Sequence, residues 1–278
     1  MRNNLNTRDL RRAATAGLIA ATLVMAQLAL AASPEPHDPW PGLAADVFPG
    51  RQLVDGAGLL DLEMPARAED AAIVPVTMRV TLPAGDPRRL QALTLIIDQN
   101  PAPVAGSFKV GPGSDLTALS TRVRVNAYTN VHAVAELSDG KLYVVQTFVK
   151  ASGGCAAPAA KNADEARATL GQMRFRHFAR SDAASGTREA QVMLRHPNNS
   201  GLQRDQITHL YIPAHFIDEL RVWQGNELIF SLESGISLSE DPNIRFTYRP
   251  NGAPIRVEAR DTEGNRFTGE WPTEASAL

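Results

Sequence analysis

The feature that most constrains this chain is a period-two alternation of apolar and polar residues. It recurs in short runs, with turn residues between them and no amphipathic helix separating them. Val74, Val76, Met78 and Val80 alternate with Ile73, Pro75, Thr77 and Arg79. On an extended backbone this sends one set to a buried face and the other toward solvent. Leu93, Leu95 and Ile97 repeat the pattern, as do Leu119, Thr121, Val123 and Val125. Runs at 131–137 and 141–149 are joined by Ser138-Asp139-Gly140, a hairpin signal. One short helical stretch is expected at 43–48. Close-spaced strands without crossover helices predict a sandwich and exclude a parallel α/β sheet.

The pattern breaks at 151–160, Ala-Ser-Gly-Gly-Cys-Ala-Ala-Pro-Ala-Ala, whose side chains are too small to pack a core. A helical turn or two is expected at 164–171. Strand character then resumes at 173–175, 191–194, 207–212, 220–223, 228–232, 245–248 and 255–259. Gln224-Gly225-Asn226 joins one pair, and a turn over 261–264 leads to a closing strand at Phe267. The expected architecture is all-β. Two immunoglobulin-like β-sandwich domains, 38–158 and 170–272, are joined by a Gly/Ala-rich linker that carries the single cysteine. The two sandwiches are expected to pack along an apolar interface. Trp223 and Tyr248, on apparent strands, are expected in the core rather than at a ligand platform.

Residues 1–31 read differently. Arg2, Arg8, Arg11 and Arg12 precede an apolar run from Ala13 to Leu30, and Ala29-Leu30-Ala31 is a small-x-small cleavage pattern. That order is an export signal, Sec-type or, from Arg11-Arg12, twin-arginine. Its removal takes away four arginines and Asp9, which moves the formal charge from -2 to -5. The mature chain is expected in the periplasm, without a membrane span. A mildly acidic chain with 21% charged residues has no basic field for nucleic acid.

One cysteine in the whole chain excludes an internal disulfide, a CxxC pair and a thiolate-rich metal centre. A lone thiol is ordinarily a buried hydrophobe. Cys155 lies instead between Gly153-Gly154 and Ala156-Ala157, six residues past the last strand of its half. Local sequence thus predicts an exposed sulfur that reacts at nearly its unfolded rate, with Gly153 and Gly154 lending the arm flexibility. It leaves open whether this is a working thiol or an incidental linker cysteine. Lys150 is the one charge close by in sequence, so no activation of the thiol follows from it.

Two further sets of residues point to a family. Asp139-Gly140-Lys141-Leu142-Tyr143 through Phe148-Val149-Lys150, ending in Gly153-Gly154-Cys155, resembles the SoxY carrier subunit of the thiosulfate-oxidising Sox system. SoxY ends in a Gly-Gly-Cys-Gly-Gly arm. The second half is similar to its partner SoxZ through His196-Pro197, Gly201-Leu202, Ile212-Pro213-Ala214-His215-Phe216-Ile217, Gly235-Ile236-Ser237-Leu238-Ser239, Pro242, Phe246, Asp261 and Gly264. The resemblance covers about 46–158 and 170–272. The fused order is similar to the SoxYZ-like carriers associated with quinoprotein dehydrogenases.

The resemblance implies a carrier, not an enzyme, with Cys155 as the covalent attachment point for a sulfur intermediate and no other cofactor. It implies partners among periplasmic sulfur-oxidising enzymes and c-type cytochromes, or a quinoprotein dehydrogenase system. The alternative is a non-catalytic adaptor for such a dehydrogenase, with Cys155 unused. This chain departs from the family where Gly-Gly-Cys runs on into Ala-Ala-Pro and a second domain, tethering the arm at both ends.

Other chemistries fit poorly. His209 and His215 lie six apart and could share one strand face, yet no Cys or carboxylate cluster stands at ligand spacing. His37, His132, His177, His196, His209 and His215 are therefore expected to be structural or surface residues, and no metal is expected. Blue copper needs a histidine soon after the cysteine, which Ala-Ala-Pro-Ala-Ala does not supply. No G-x-S-x-G, P-loop or dinucleotide motif occurs. A cysteine hydrolase needs a rigid nucleophile beside a base, which a Gly-Gly arm does not suggest.

Overall fold

Strands dominate the computed structural model, which describes residues 38–158, 163–178 and 186–272. The export signal expected over 1–31 lies outside the described residues. In the first half, α1 (Trp40–Val47) is followed by β1 (Leu53–Asp55), β2 (Leu60–Glu63), β3 (Val74–Val80) and β4 (Leu90–Ile97). Next come β5 (Val104–Val110), β6 (Ala118–Val123), β7 (Thr129–Leu137) and β8 (Leu142–Val149). In the second half, α2 (Ala163–Thr169) precedes β9 (Met173–His177), β10 (Arg188–Leu194), β11 (Ile217–Gln224) and β12 (Glu227–Ser234). The chain closes through β13 (Asn243–Tyr248), β14 (Ile255–Asp261) and β15 (Arg266–Trp271).

The alternation read from sequence is the alternation of burial. Val74, Val76, Met78 and Val80 of β3 face the core while Pro75 and Arg79 face solvent. Gly140 and Gly225 take φ of 76° and 57° in the hairpin turns expected at those places. The all-β sandwich class therefore holds, with Tyr248 in the core.

The two halves are joined more intimately than by face packing. Among the described residues, one sheet has the order β1-β8-β7-β4-β5-β12-β11-β14-β15, and the other β2-β3-β6-β13-β10-β9. Both sheets run across the halves. At the seam, β5 pairs antiparallel with β12, setting Phe108 against Leu232 and Val110 against Phe230. In the other layer β6 pairs with β13 at Ser120–Arg245 and Leu119–Phe246. Edge strands that would otherwise expose unpaired N–H and C=O groups complete one another. The core is continuous as well. Phe108 approaches Phe230 at 6.1 Å between ring centroids, and Phe230 approaches Phe246 at 5.2 Å, in tilted and edge-on geometries. The described residues from Trp40 onward form one compact unit.

The strand expected at 207–212 is not one. Asp205 Oδ1 accepts from the backbone N–H of Ile207 (3.0 Å) and Thr208 (2.7 Å) and from the Thr208 hydroxyl (2.9 Å). His209 follows with φ of 58°. An aspartate turn of this kind captures the backbone groups a ladder would need. The apolar residues of the run are consequently on the surface, with Ile207 89% exposed.

Candidate functional site

β8 ends at Val149, and the chain does not swing free. Lys150 N–H donates to Ala66 O (2.9 Å), and Lys150 O accepts from Ala68 N–H (3.1 Å). Two residues on, a turn folds back beneath the first half. Gly153 N–H donates to Asn126 O (2.8 Å), Gly154 N–H to Val125 O (3.1 Å), and Ala156 N–H closes the turn on Gly153 O (3.1 Å). The two glycines have separate duties here. Gly153 has φ of +79°, a left-handed conformation that costs other residues strain. At Gly154 a Cβ would stand 2.0 Å from Ala71 O and 2.7 Å from Val125 O. These glycines fit the arm to a seat rather than lengthening it.

The second half covers the seat. Ser200 Oγ donates to Cys155 O, and Gln203 Nε2 donates to Ala157 O (3.0 Å). From the first half, Arg124 NH1 donates to Gly154 O (3.3 Å) while its NH2 donates to Asn198 O (3.2 Å). The expectation of an exposed sulfur is thereby corrected: Cys155 is 0% exposed. Local sequence misled because small neighbours cannot build a pocket themselves, but here residues far away in the chain build it around them. Cys155 nevertheless stands outside the apolar core cluster. The arm is held through its backbone, by polar side chains and carbonyls of both halves. Burial pushes the thiol pKa up, and Arg124 pulls it part of the way back.

The covering loop is fastened in turn by His196, His215 and Asp261. Asn199 and His215 exchange backbone hydrogen bonds of 2.7 and 3.0 Å. Asn198 Nδ2 donates to Ser239 O (3.0 Å), and Asn198 Oδ1 accepts from Ile217 N–H (3.1 Å). Nε2 of His196 and of His215 lie 3.3 Å apart and approach Asp261 Oδ2 at 3.4 and 2.7 Å. Sequence spacing had paired His215 with His209, whereas the fold pairs it with His196.

Three such groups could invite a cation, and the separations near 3.3 Å suit tetrahedral ligands. Hydrogen bonding argues otherwise. Asn198 N–H donates to His196 Nδ1 (3.0 Å), which places the imidazole proton on Nε2, where a metal would need a lone pair. Asp261 already accepts from Glu263 N–H, Asn265 N–H and Asn265 Nδ2 as well. The trio is best described as a hydrogen-bonded clasp. His132 is likewise engaged, between Asp98 and Gln146 and stacked on Trp40 at 3.6 Å.

The clasp carries a pH signature. Burial works against ionisation of Asp261, but the bonds from Asn265, His215 and His196 outweigh it and hold its pKa at about 2. A depressed carboxyl contributes stability above its unfolded value near 3.9, and that stability is lost as pH falls toward 2. Burial also lowers the His196 pKa, which adds a loss of the same sign below about 6.5. Denaturant midpoints measured from pH 6 to 2 should fall steeply, and Asp261→Asn should flatten the limb below about pH 4. The same change should cost roughly 2 kcal/mol near neutrality. An unchanged acid limb in the variant would count against the clasp.

At the seam beside the seat, Ser237 Oγ donates to Ala102 O (2.7 Å) and Ser239 Oγ to Ala72 O (2.7 Å). Asn100 Nδ2 bonds both Arg124 O (2.7 Å) and Ser237 Oγ (2.9 Å). The segment from Gly235 to Ser239, which carried part of the resemblance, knits the halves at the arm. Sequence reasoning missed Arg124, Ser200 and Gln203. The alternation gave Arg124 an outward position between Val123 and Val125, yet it lies just past the end of β6 and is 1% exposed.

Comparison with known proteins places this geometry. The chain is an all-β sandwich in which residues 44–155 match the family model of the sulfur oxidation protein SoxY, and residues 175–272 that of the sulphur oxidation protein SoxZ. The chain belongs to the SoxYZ-like sulfur-oxidation carriers, with both domains in one polypeptide. Cys155 is the last residue of the SoxY match. No curated protein matches the chain. Among solved structures, superoxide reductase (neelaredoxin) from Ignicoccus hospitalis shares 13% identity, covering 33% of this chain and 79% of that one, with a TM-score of 0.29. The β-glucuronidase of Parabacteroides merdae shares 7% identity over 77% of this chain and 24% of its own, with a TM-score of 0.23. Neither likeness bears on the function of this chain. Among the described residues no helix is long and apolar enough to cross a membrane.

Proposed function

We propose that this chain is a periplasmic carrier that holds a sulfur-containing intermediate covalently on Cys155 and presents it to partner enzymes when the arm leaves its seat. The observation that carries the reading is that Cys155 is buried in a segment whose backbone is held by side chains of both halves, Arg124, Ser200 and Gln203. Release of the arm breaks a few hydrogen bonds and leaves both sheets intact. At rest the buried neutral thiol is shielded from the oxidants of an oxidising compartment. Once released, a thiol of ordinary pKa, about 8.5, supplies enough thiolate to attack or accept sulfur.

With thiosulfate as cargo, loading joins the Cys155 sulfur to the outer sulfur of the anion. The product is a Cys155 S-thiosulfonate, the thiol proton is lost, and two electrons pass to a partner of the c-type cytochrome class. The residues from 1 to 31 support export, and the SoxY and SoxZ matches support sulfur-oxidising partners.

Burial of the sulfur also favours a second reading, an adaptor for a periplasmic quinoprotein dehydrogenase in which Cys155 is unused. Intact-mass measurement separates them. Protein isolated from cells oxidising reduced sulfur should carry sulfur or sulfonate adducts that are absent from Cys155→Ser, since no second cysteine can take them. Unmodified protein under those conditions would leave the adaptor.

A further inference from the structure

Arg124 is an expensive residue to keep where it is. It is 1% exposed and the largest fully buried side chain among the described residues. Among the described residues its terminal nitrogens hydrogen-bond to neutral backbone carbonyls, Gly154 O and Asn198 O, and its Nε has no hydrogen-bond partner. Burial lowers its pKa, and the carboxylates of Glu240 and Asp70 oppose that through space. A buried guanidinium left short of partners costs several kcal/mol, so a methionine or leucine of similar length would be the cheaper occupant. The cation bonds the carbonyl of Gly154, the residue that precedes the single cysteine of the chain. Its fork offers donor capacity that the empty arm does not use.

We propose that Arg124 is the binding group for an anionic sulfur species on Cys155, a thiosulfonate or persulfide, so that the loaded arm is held in its seat more firmly than the same arm with neutral cargo. This rests on the carrier reading and adds the residue that holds the anionic cargo. Arg124 is a positioning residue here. It touches the cargo only in the seated state, and transfer takes place after release.

The reaction of tetrathionate with Cys155 gives a test. The thiolate attacks an inner sulfur, a new S–S bond forms, and thiosulfate leaves with the electron pair of the broken S–S bond. The adduct is an anionic S-thiosulfonate. Methyl methanethiosulfonate gives a neutral methyl disulfide at the same atom, with methanesulfinate as the leaving group. Release of each adduct by dithiothreitol is then timed in native protein and divided by its own rate in denaturant. In the wild type the anionic adduct should be released at least tenfold more slowly than the neutral one after this correction. Arg124→Gln, which can still donate hydrogen bonds, should bring the ratio to about one, and Arg124→Lys should restore much of it.

A purely structural arginine would loosen or tighten both adducts alike. An unchanged ratio in Arg124→Gln therefore overturns the proposal. Should that variant not fold, the wild type decides alone, because a corrected ratio near one overturns it. Failure of the carrier reading looks different: native Cys155 would take up neither adduct on prolonged incubation.

Discussion

Gly154→Ala should make Cys155 react with a neutral thiol reagent at close to its rate in denaturant, while the wild-type protein reacts about a hundredfold to a thousandfold more slowly. The wild-type figure follows from what holds the arm. Gly153 and Gly154 N–H, the Arg124 fork, Ser200 Oγ and Gln203 Nε2 each contribute a hydrogen bond between the arm and its seat. At about 1 kcal/mol net per bond, less the chain entropy regained on release, the open arm is populated at roughly one part in a hundred to one in a thousand. A Cβ at Gly154 would lie 2.0 Å from Ala71 O, 2.6 Å from Ala71 C and 2.7 Å from Val125 O. Those are backbone atoms flanking β3 and β6, so the arm must yield. Global stability should fall by about 3–4 kcal/mol at most, the free energy of seating that those populations imply, and both sheets should remain folded. Gly153→Ala is the matched control. A Cβ there meets nothing within 4 Å, and only its φ of +79° is strained, so labelling should rise about tenfold or less. If Gly154→Ala labels no faster than the wild type, the arm is held by something other than this seat.

Gly111→Ala should be the most destabilising of the small substitutions, costing more than about 4 kcal/mol or abolishing soluble folded protein. Gly111 follows β5 and donates its N–H to Ile229 O (3.0 Å) where β5 meets β12. An added Cβ would stand 1.7 Å from Leu228 O and 2.6 Å from Leu228 C. Neither strand can retreat without parting the seam that makes one sheet of two halves. Where the variant does fold, its thermal midpoint should drop by roughly 8–16 °C. Both halves should still melt in one transition, because the Phe108, Phe230 and Phe246 contacts cross the seam. Gly113→Ala, two residues on and in open space, should shift stability by no more than about 0.5 kcal/mol. A mild Gly111→Ala, or two separate melting transitions, would mean the halves are independent at this edge.

The acid sensitivity of the clasp and the protection of the thiol meet at one loop. His196, His215 and Asp261 fasten residues 198–200, and Ser200 and Asn198 in turn contact the arm and Arg124. Alkaline conditions act on the arm from the other side. A buried thiol with a raised pKa favours the seated form below its unfolded value near 8.5, and that preference is lost as pH climbs through the folded value.

Some of this was legible in the chain by itself. Period-two runs such as Val74-Val76-Met78-Val80 determine a two-faced strand wherever they lie. Gly140 and Gly225 determine turns because a positive φ suits few other residues. The Gly-Gly-Cys and SoxZ-like segments determined the family, since a motif is local and survives reading in one dimension. Other features required the third dimension. The run at 207–212 has apolar content but no alternation, and Asp205 converts it to a turn. β5 carries Gly106 and Ser107 and announced itself weakly, yet it is the strand through which one half continues into the other. Cys155 was judged by its neighbours in sequence, which are small, and its burial comes from Arg124, Ser200 and Gln203, which are distant. Backbone hydrogen bonding and side-chain periodicity are short-range properties and can be read along the chain. Burial, and the electrostatics that follow from it, depend on which remote segments close over a residue, and that is decided only when both sheets come together.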